Sequence, residues 1–408
     1  MKKFIFSILC VVLLCPRAYA DELTELKTMF QKMQVEMNAM AQRIEQLEQE
    51  KQRQSAQKQH EIDYLQDRVD QLERADKGTG KSLLSTLNPE VSIIGDVVYK
   101  TTDEDEGEGD NDFNAREMEL AFSANVDTYA RGDVVVAIEN EDGNTEVALE
   151  EGYLTLLETP LDGLQAKVGK FRPFFGKANR MHLHQLPWVD YPLAVQNFLG
   201  EEGVSEAGVS LSYLIPNPAD IFSELTFEAI NNGSTVLGGG EENETVYLGH
   251  LKNFFEVTPD TSLELGISHA FGKNDVGDGA DTFLTGVDVT LNTRLFDNRR
   301  TTSHTEVLLN KREQVTENDV DSWGMFTSLE QQLTDRWWAF GRYDFSQMPT
   351  ASEVDTHAYS VGLTFAQSEY VFWRAMYTHT DNETSEDVNT VWLQMDFSIG
   401  PHKPHAYR

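Results

Sequence analysis

The chain has only two cysteines in 408 residues, and both, Cys10 and Cys15, lie among the first twenty. None follows, which excludes disulfides and thiolate metal sites from the rest of the chain. Beyond residue 20 there is also no apolar run long enough for a membrane helix. Basic residues are scarce where acids are plentiful. Residues 88–408 hold 20 Lys+Arg against 55 Asp+Glu, so the whole formal charge of −35 falls there. That balance excludes nucleic acid as an expected partner, because nucleic-acid binding needs a basic face. Acidic loops instead repel anions and attract divalent cations in a salt-dependent way. Catalytic signatures are missing as well. There is no Gly-x-Ser-x-Gly and no HExxH, and the strand histidines His269 and His304 have no evident catalytic partner. Neither an enzyme nor a cofactor is expected.

What is present begins with a secretory signal at residues 1–20. Lys2 and Lys3 form its basic end, Phe4 to Leu14 its apolar core, and Ala18-Tyr19-Ala20 its cleavage site. A secreted chain without membrane helices can still enter an outer membrane as a closed barrel. Residues 21–76 then read as a coiled coil. Leu23, Phe30, Met37 and Ile44 repeat every seven residues, and Leu26, Met33, Met40 and Leu47 repeat beside them. The seam resumes at Ile62, Leu65, Val69 and Leu72 after a four-residue stutter. Gly78-Thr79-Gly80 opens a linker over 77–87.

Residues 88–408 read as sixteen short segments of alternating apolar and polar side chains. Met118, Leu120 and Phe122 interleave with Glu117, Glu119, Ala121 and Ser123. Val391, Leu393, Met395 and Phe397 interleave with Gln394, Asp396 and Ser398. In a strand these sets face opposite sides. The connectors alternate too. Seven tight turns, such as Asp127-Thr128, Pro259-Asp260 and Asp297-Asn298, separate eight longer polar loops. The loops include Glu139 to Asn144, Pro173 to Gly203 and Gln347 to Asp355. The expected fold is therefore an all-β transmembrane barrel of sixteen antiparallel strands, in contact with outer-membrane lipids. An even strand count puts both ends on the periplasmic side, and with them the coiled coil. A barrel this wide leaves an aqueous channel.

The connector from Pro173 to Gly203 stands apart. It is long, and it carries Phe174, Phe175, Leu186, Trp188, Tyr191 and Phe198. Such a loop has structure or a task, and folding into the lumen as a constriction gives it both. From Gly163 through Val189 there is no acid, while Lys167, Lys170, Arg172, Lys177 and Arg180 fall within that span. Facing strands offer Glu117, Glu119, Asp133, Glu139, Glu150 and Glu151. Bases against acids across an eyelet would favour anions locally. Alternatively, each base pairs with an acid and pins the loop, and Arg180 leans that way.

The run Gly169-Lys170-Phe171-Arg172-Pro173-Phe174-Phe175-Gly176-Lys177 resembles the phosphate-selective porins and their zinc-regulated outer-membrane relatives. So do His182-Leu183-His184-Gln185-Leu186-Pro187 and Asn197-Phe198-Leu199-Gly200-Glu201-Glu202-Gly203. The resemblance implies a sixteen-stranded barrel, commonly trimeric, with a basic eyelet to which Lys170, Arg172 and Lys177 belong.

Two histidine pairs raise the question of metal. His182 and His184 are two apart, which suits support of the loop fold better than a two-ligand metal site. His402 and His405 lie in a proline-rich tail. The acidic stretch Asp103 to Asp112 lacks EF-hand spacing and reads as a solvated loop. The expected function is passive diffusion of small hydrophilic solutes or ions through a homotrimeric porin. The alternatives are a tether from the outer membrane to the cell wall through the coiled coil, and a zinc uptake or receptor barrel.

Overall fold

The structure is a computed structural model. It describes residues 89–400 apart from 104–110, 142–143, 218–220, 232–243, 278, 297, 317 and 384–385. The expected signal, coiled coil, linker and histidine tail lie outside the described residues, as does most of the acidic stretch Asp103 to Asp112.

Sixteen strands form one antiparallel sheet. The first eight are β1 (Glu90–Thr102), β2 (Asp112–Asn125), β3 (Ala130–Glu141), β4 (Asn144–Leu156), β5 (Leu164–Phe171), β6 (Glu206–Leu214), β7 (Phe222–Asn231) and β8 (Thr245–Thr258). The second eight are β9 (Thr261–Lys273), β10 (Asp281–Leu295), β11 (Arg299–Arg312), β12 (Val320–Gln332), β13 (Trp337–Met348), β14 (Ala351–Ala366), β15 (Val371–Asn382) and β16 (Val388–Ile399). Each strand pairs with its neighbours in sequence, and β1 pairs with β16 from Ile93↔Ile399 to Thr102↔Thr390. That last ladder closes the barrel and leaves no sheet edge between first and last strand.

The alternation in sequence becomes two faces. In β10, Thr282, Leu284, Gly286, Asp288 and Thr290 are buried, while Val287 and Leu291 in the alternate phase are exposed. In β14, Val361 and Leu363 are exposed and Ser360 and Thr364 buried. The outward set is apolar and aromatic, with Trp337 against Phe365 and Tyr343 against Tyr359 as cross-strand ring pairs. Such pairs suit a lipid-facing surface.

The chain ends of the barrel share one rim, here the near rim. The far rim differs from expectation in two places. Only residues 142–143 separate β3 from β4, and only 349–350 separate β13 from β14. Glu139 lies inside β3, laddered to Glu146, and Gln347 inside β13, laddered to Asp355. Polar composition at those positions suggested loops. However, Asp142-Gly143 is a dipeptide favoured in two-residue hairpins, and ladder hydrogen bonds do not require apolar side chains.

Two bulges shape the inner wall. Val135 opposes Glu151 and Val136 opposes Leu149, so Glu150 is an extra residue in β4. Ala115 and Arg116 of β2 together oppose Val97 of β1. A bulge lets consecutive residues escape strict alternation. The first turns both Glu150 and Glu151 toward the lumen. The second lets Arg116, paired with Asp96, share the inner face with Glu117.

Candidate functional site

Residues 172–205 connect β5 to β6 and fold into the barrel. They contain two single 3₁₀ turns, Ala178–Arg180 and Leu183–Gln185, and a short helix α1 (Leu193–Leu199). Phe171, Phe175, Leu186, Trp188, Tyr191 and Phe198 are almost fully buried, in one cluster with the wall residues Leu284, Leu308, Phe326 and Phe340. Removing a phenylalanine of this kind from water contributes about 1.5–3 kcal/mol. Gly324 of β12 makes room for α1, since a Cβ there would lie 2.9 Å from that of Ala194.

Polar groups of the wall meet the loop's backbone. Glu306 Oε1 of β11 accepts the amides of Lys177 and Ala178, both at 2.7 Å. Glu228 of β7 accepts from Phe174 N at 2.8 Å, Ser268 of β9 from Gly176 N at 3.0 Å, and Asp344 of β13 from Leu193 N at 3.2 Å. Gly176 has a positive φ of 63°, and a Cβ there would come within 2.5 Å of Glu306. The positive φ favours glycine, and a Cβ would also displace the Glu306 carboxylate from the loop amides. Arg342 bridges Asp190 of the loop and Asp344, at 2.8 and 2.7 Å, and Arg374 of β15 donates to Trp188 O at 2.7 Å. These wall carboxylates and arginines were not singled out in the sequence. Their signal was available in part, because each sits on the inward phase of an alternating strand. What the sequence withheld is the partner, which for Glu306 is 129 residues away.

The five bases of the expected eyelet fall into four environments. Arg172 is buried, with Nη2 2.7 Å from Glu150 Oε2, Nη1 donating to Glu202 O, and its amide donating to Glu151 Oε1. Lys177 is buried 3.0 Å from Glu264, an acid outside the expected set that also binds Lys252. Burial lowers the Lys177 pKa, and Glu264 acts against that shift. Lys167 and Arg180 have aromatic neighbours and, among the described residues, no ion pair. Lys167 Nζ lies 4.3 Å from the centre of the Tyr153 ring, and the Arg180 guanidinium lies 3.8 Å from that of Phe174. Both distances suit cation–π contact. Lys170 is separate from the other four. It ladders with Gly152 and Ala207, in phase with exposed Val168 and out of phase with buried Phe171, so it faces outward. The expectation that Lys170 lines the eyelet fails because neighbouring strand residues point to opposite sides.

The six acids all lie on the inner wall. Glu117 and Glu139 face each other across β2 and β3, and Asp133 accepts from Ser123 at 2.5 Å. Glu119, Glu150 and Glu151 surround the histidines. His182 Nδ1 is 3.2 Å from Glu150 and 3.5 Å from Glu119, and its Nε2 is 3.5 Å from Glu151. His184 Nδ1 is 3.1 Å from Glu119. Burial opposes charge on His182, but the three carboxylates outweigh it and push its pKa up to about 10. Glu139, Glu150 and Glu202 bring carboxylate oxygens within 4.8 Å of one another, but Arg172 already holds Glu150.

A cavity of about 170 Å³ remains between the loop and β1–β5. Glu119, Glu151 and His182 line it together with Lys167, Phe174 and Arg180.

No family model matches the chain. An uncharacterised protein of Aquifex aeolicus is 28% identical over 340 residues, covering 72% of this chain and 70% of that protein. Among solved structures, an anion-selective porin from Comamonas acidovorans matches 76% of this chain and 99% of its own, with TM-score 0.54 and 11% identity. The trimer form of OmpT, an in-vitro-folded outer-membrane protein of Vibrio cholerae, matches 76% and 100%, with TM-score 0.51 and 8% identity. At such identities the likeness is one of fold, and the fold is that of an outer-membrane porin barrel.

Proposed function

We propose that this protein is an outer-membrane porin that lets small hydrophilic solutes or ions diffuse passively past the inward loop. The observation that carries this is the charged, water-accessible cavity of about 170 Å³ between the loop and β1–β5, inside a closed barrel with an apolar outer face. The near rim is taken as periplasmic, with the coiled coil beyond it, and the working assembly as a homotrimer. Support for the trimer comes from the similar fold of a protein solved in trimer form.

Lys167 and Arg180 are the bases proposed to act on solutes, because neither is held in an ion pair among the described residues and both line the cavity. Arg172 and Lys177 are proposed to pin the loop. Glu119 and Glu151 line the same cavity as these two cations, so it offers both signs of charge. Phosphate preference, implied by resemblance in the central block, would rest on Lys167 and Arg180 alone.

Single-channel conductance of the purified full chain in planar bilayers tests the proposal. Discrete conductance steps are expected, and their absence overturns it. Reversal potentials in chloride, phosphate and zinc salts then rank the solutes.

A second function, anchoring the outer membrane to the cell wall, is favoured by the apolar filling of the lumen around Trp188 and Phe198. A barrel without conductance whose loss of residues 21–76 detaches the envelope would establish that function instead.

A further inference from the structure

The cavity between the loop and β1–β5 is not uniformly polar. Its lining includes an apolar patch, Ile94 of β1, Ala121 of β2 and Val135 of β3, beside charges of both signs. Small inorganic ions gain nothing from such a patch, since apolar contacts replace none of the water that an ion gives up. An organic solute with an apolar part does gain from it.

The charges around the cavity hold a second clue. Lys167 and Glu151 are near enough to sense each other's charge, yet among the described residues they form no ion pair. Each side chain is anchored elsewhere. Lys167 Nζ lies over Tyr153, 4.3 Å from the ring centre. Glu151 accepts the Arg172 amide at 3.0 Å and lies 3.5 Å from His182 Nε2. Arg180 is anchored in the same manner as Lys167, with its guanidinium 3.8 Å from the centre of the Phe174 ring. Lys167 Nζ is itself 5.7 Å from that centre, so two cations border one aromatic ring. An acid is close by, and neither cation closes onto it.

Opposite charges in a poorly screened cavity attract strongly. Anchoring them apart leaves both able to meet a ligand, and their geometry is set before it arrives. A simple anion gains from Lys167 and Arg180 but is repelled by Glu151 and Glu119. A simple cation meets the reverse difficulty. A solute that carries both signs gains at both ends. The space limits its size. A volume of about 170 Å³ equals that of about six waters, at roughly 30 Å³ each. An α-amino acid with a small apolar side chain has a matching bulk, and it is a zwitterion at neutral pH.

We propose that this cavity binds small α-amino acids as zwitterions, with the carboxylate at Lys167 and Arg180, the ammonium at Glu151, and the side chain against Ile94, Ala121 and Val135. The inference deepens the porin of the proposed function by naming the class of solute that pauses beside the loop, and it rests on that reading.

Saturation-transfer NMR of L-alanine with detergent-solubilised full-length protein gives the test, because it reads weak binding whether or not the barrel conducts. Saturable binding is expected, with L-valine as a competitor. Propionate and ethylamine, which keep one charge of alanine each, should compete at least tenfold less well than L-valine. That comparison needs no variant. Lys167→Met should weaken alanine binding at least tenfold and Arg180→Met at least threefold. Lys170→Met, at a residue that faces outward, should leave binding unchanged. The proposal is overturned by a wild type that does not bind alanine saturably, by propionate or ethylamine competing as well as L-valine, or by wild-type binding in both Lys167→Met and Arg180→Met. Planar-bilayer conductance of the same preparation separates the two readings. Alanine binding without conductance sinks the channel and leaves the site standing, whereas conductance without alanine binding does the reverse.

Discussion

The two sides of the lumen hold the same loop by different means. Toward β9–β13 the contact is a weld. Phe175, Trp188 and Phe198 pack on Leu284, Leu308 and Phe326, and Glu306 and Asp344 take up loop amides. Toward β1–β5 the contact is ionic and open. Arg172, His182 and His184 meet Glu119, Glu150 and Glu151 beside a cavity of about 170 Å³. The difference says where passage and adjustment belong. Apolar packing is dense and excludes water, whereas charged side chains around a gap keep water and can move ions. The loop is thus a wall on one side and a lining on the other.

Breaking the weld should have the largest effect. Trp188→Ala removes the biggest buried side chain and opens a cavity against Phe326 and His304. The expected loss is about 3–5 kcal/mol of loop docking. Limited proteolysis should then cut within 172–205 in the variant only, and conductance should rise. A variant as resistant as wild type would mean that the apolar cluster does not hold the loop.

Alkaline pH should loosen the other side. The pKa of His182 is raised in the folded protein from 6.5 to about 10. A raised pKa means the folded state favours the proton, so the stabilisation is complete below the unfolded value of roughly 6.5. It declines as pH rises and is gone above about 10. Conductance and loop proteolysis should therefore change between pH 7 and 10, and His182→Gln should flatten that profile. An unchanged profile in the variant would assign the titration elsewhere.

The smallest effect is expected at the lining. Arg180→Glu and Lys167→Glu should reduce the anion-to-cation permeability ratio by a few-fold each, since water in the gap screens both charges. Reversal potentials across a salt gradient read this directly. Lys170→Glu should leave the ratio unchanged, because that residue faces away from the lumen. Equal effects at 167 and 170 would contradict the strand phase.

The same phase explains what was legible in the sequence. Alternation marked sixteen strands and the inner set Glu117, Glu119 and Asp133, because a residue's face follows from its parity in a regular strand. Parity also separates Lys167 from Lys170, yet shared charge and proximity in sequence grouped them. Parity breaks at bulges. Glu150 and Glu151 are consecutive and both face inward only because one residue of β4 has no ladder partner. The full length of β3, β4, β13 and β14 at the far rim was hidden by polar residues that pair through their backbones.

By itself, then, the sequence determined the barrel, the strand count and the position of the inward loop. Period-two alternation and turn residues are local properties, readable within a few residues. Only the tertiary structure decided which partner each charge takes. Lys177 meets Glu264 and its amide meets Glu306, Arg342 meets Asp190, and Lys170 is turned to the outer face without an ion pair among the described residues. Such pairings depend on where a closed sheet brings distant strands together. A charge buried in that interior is stable only with the partner the closure supplies.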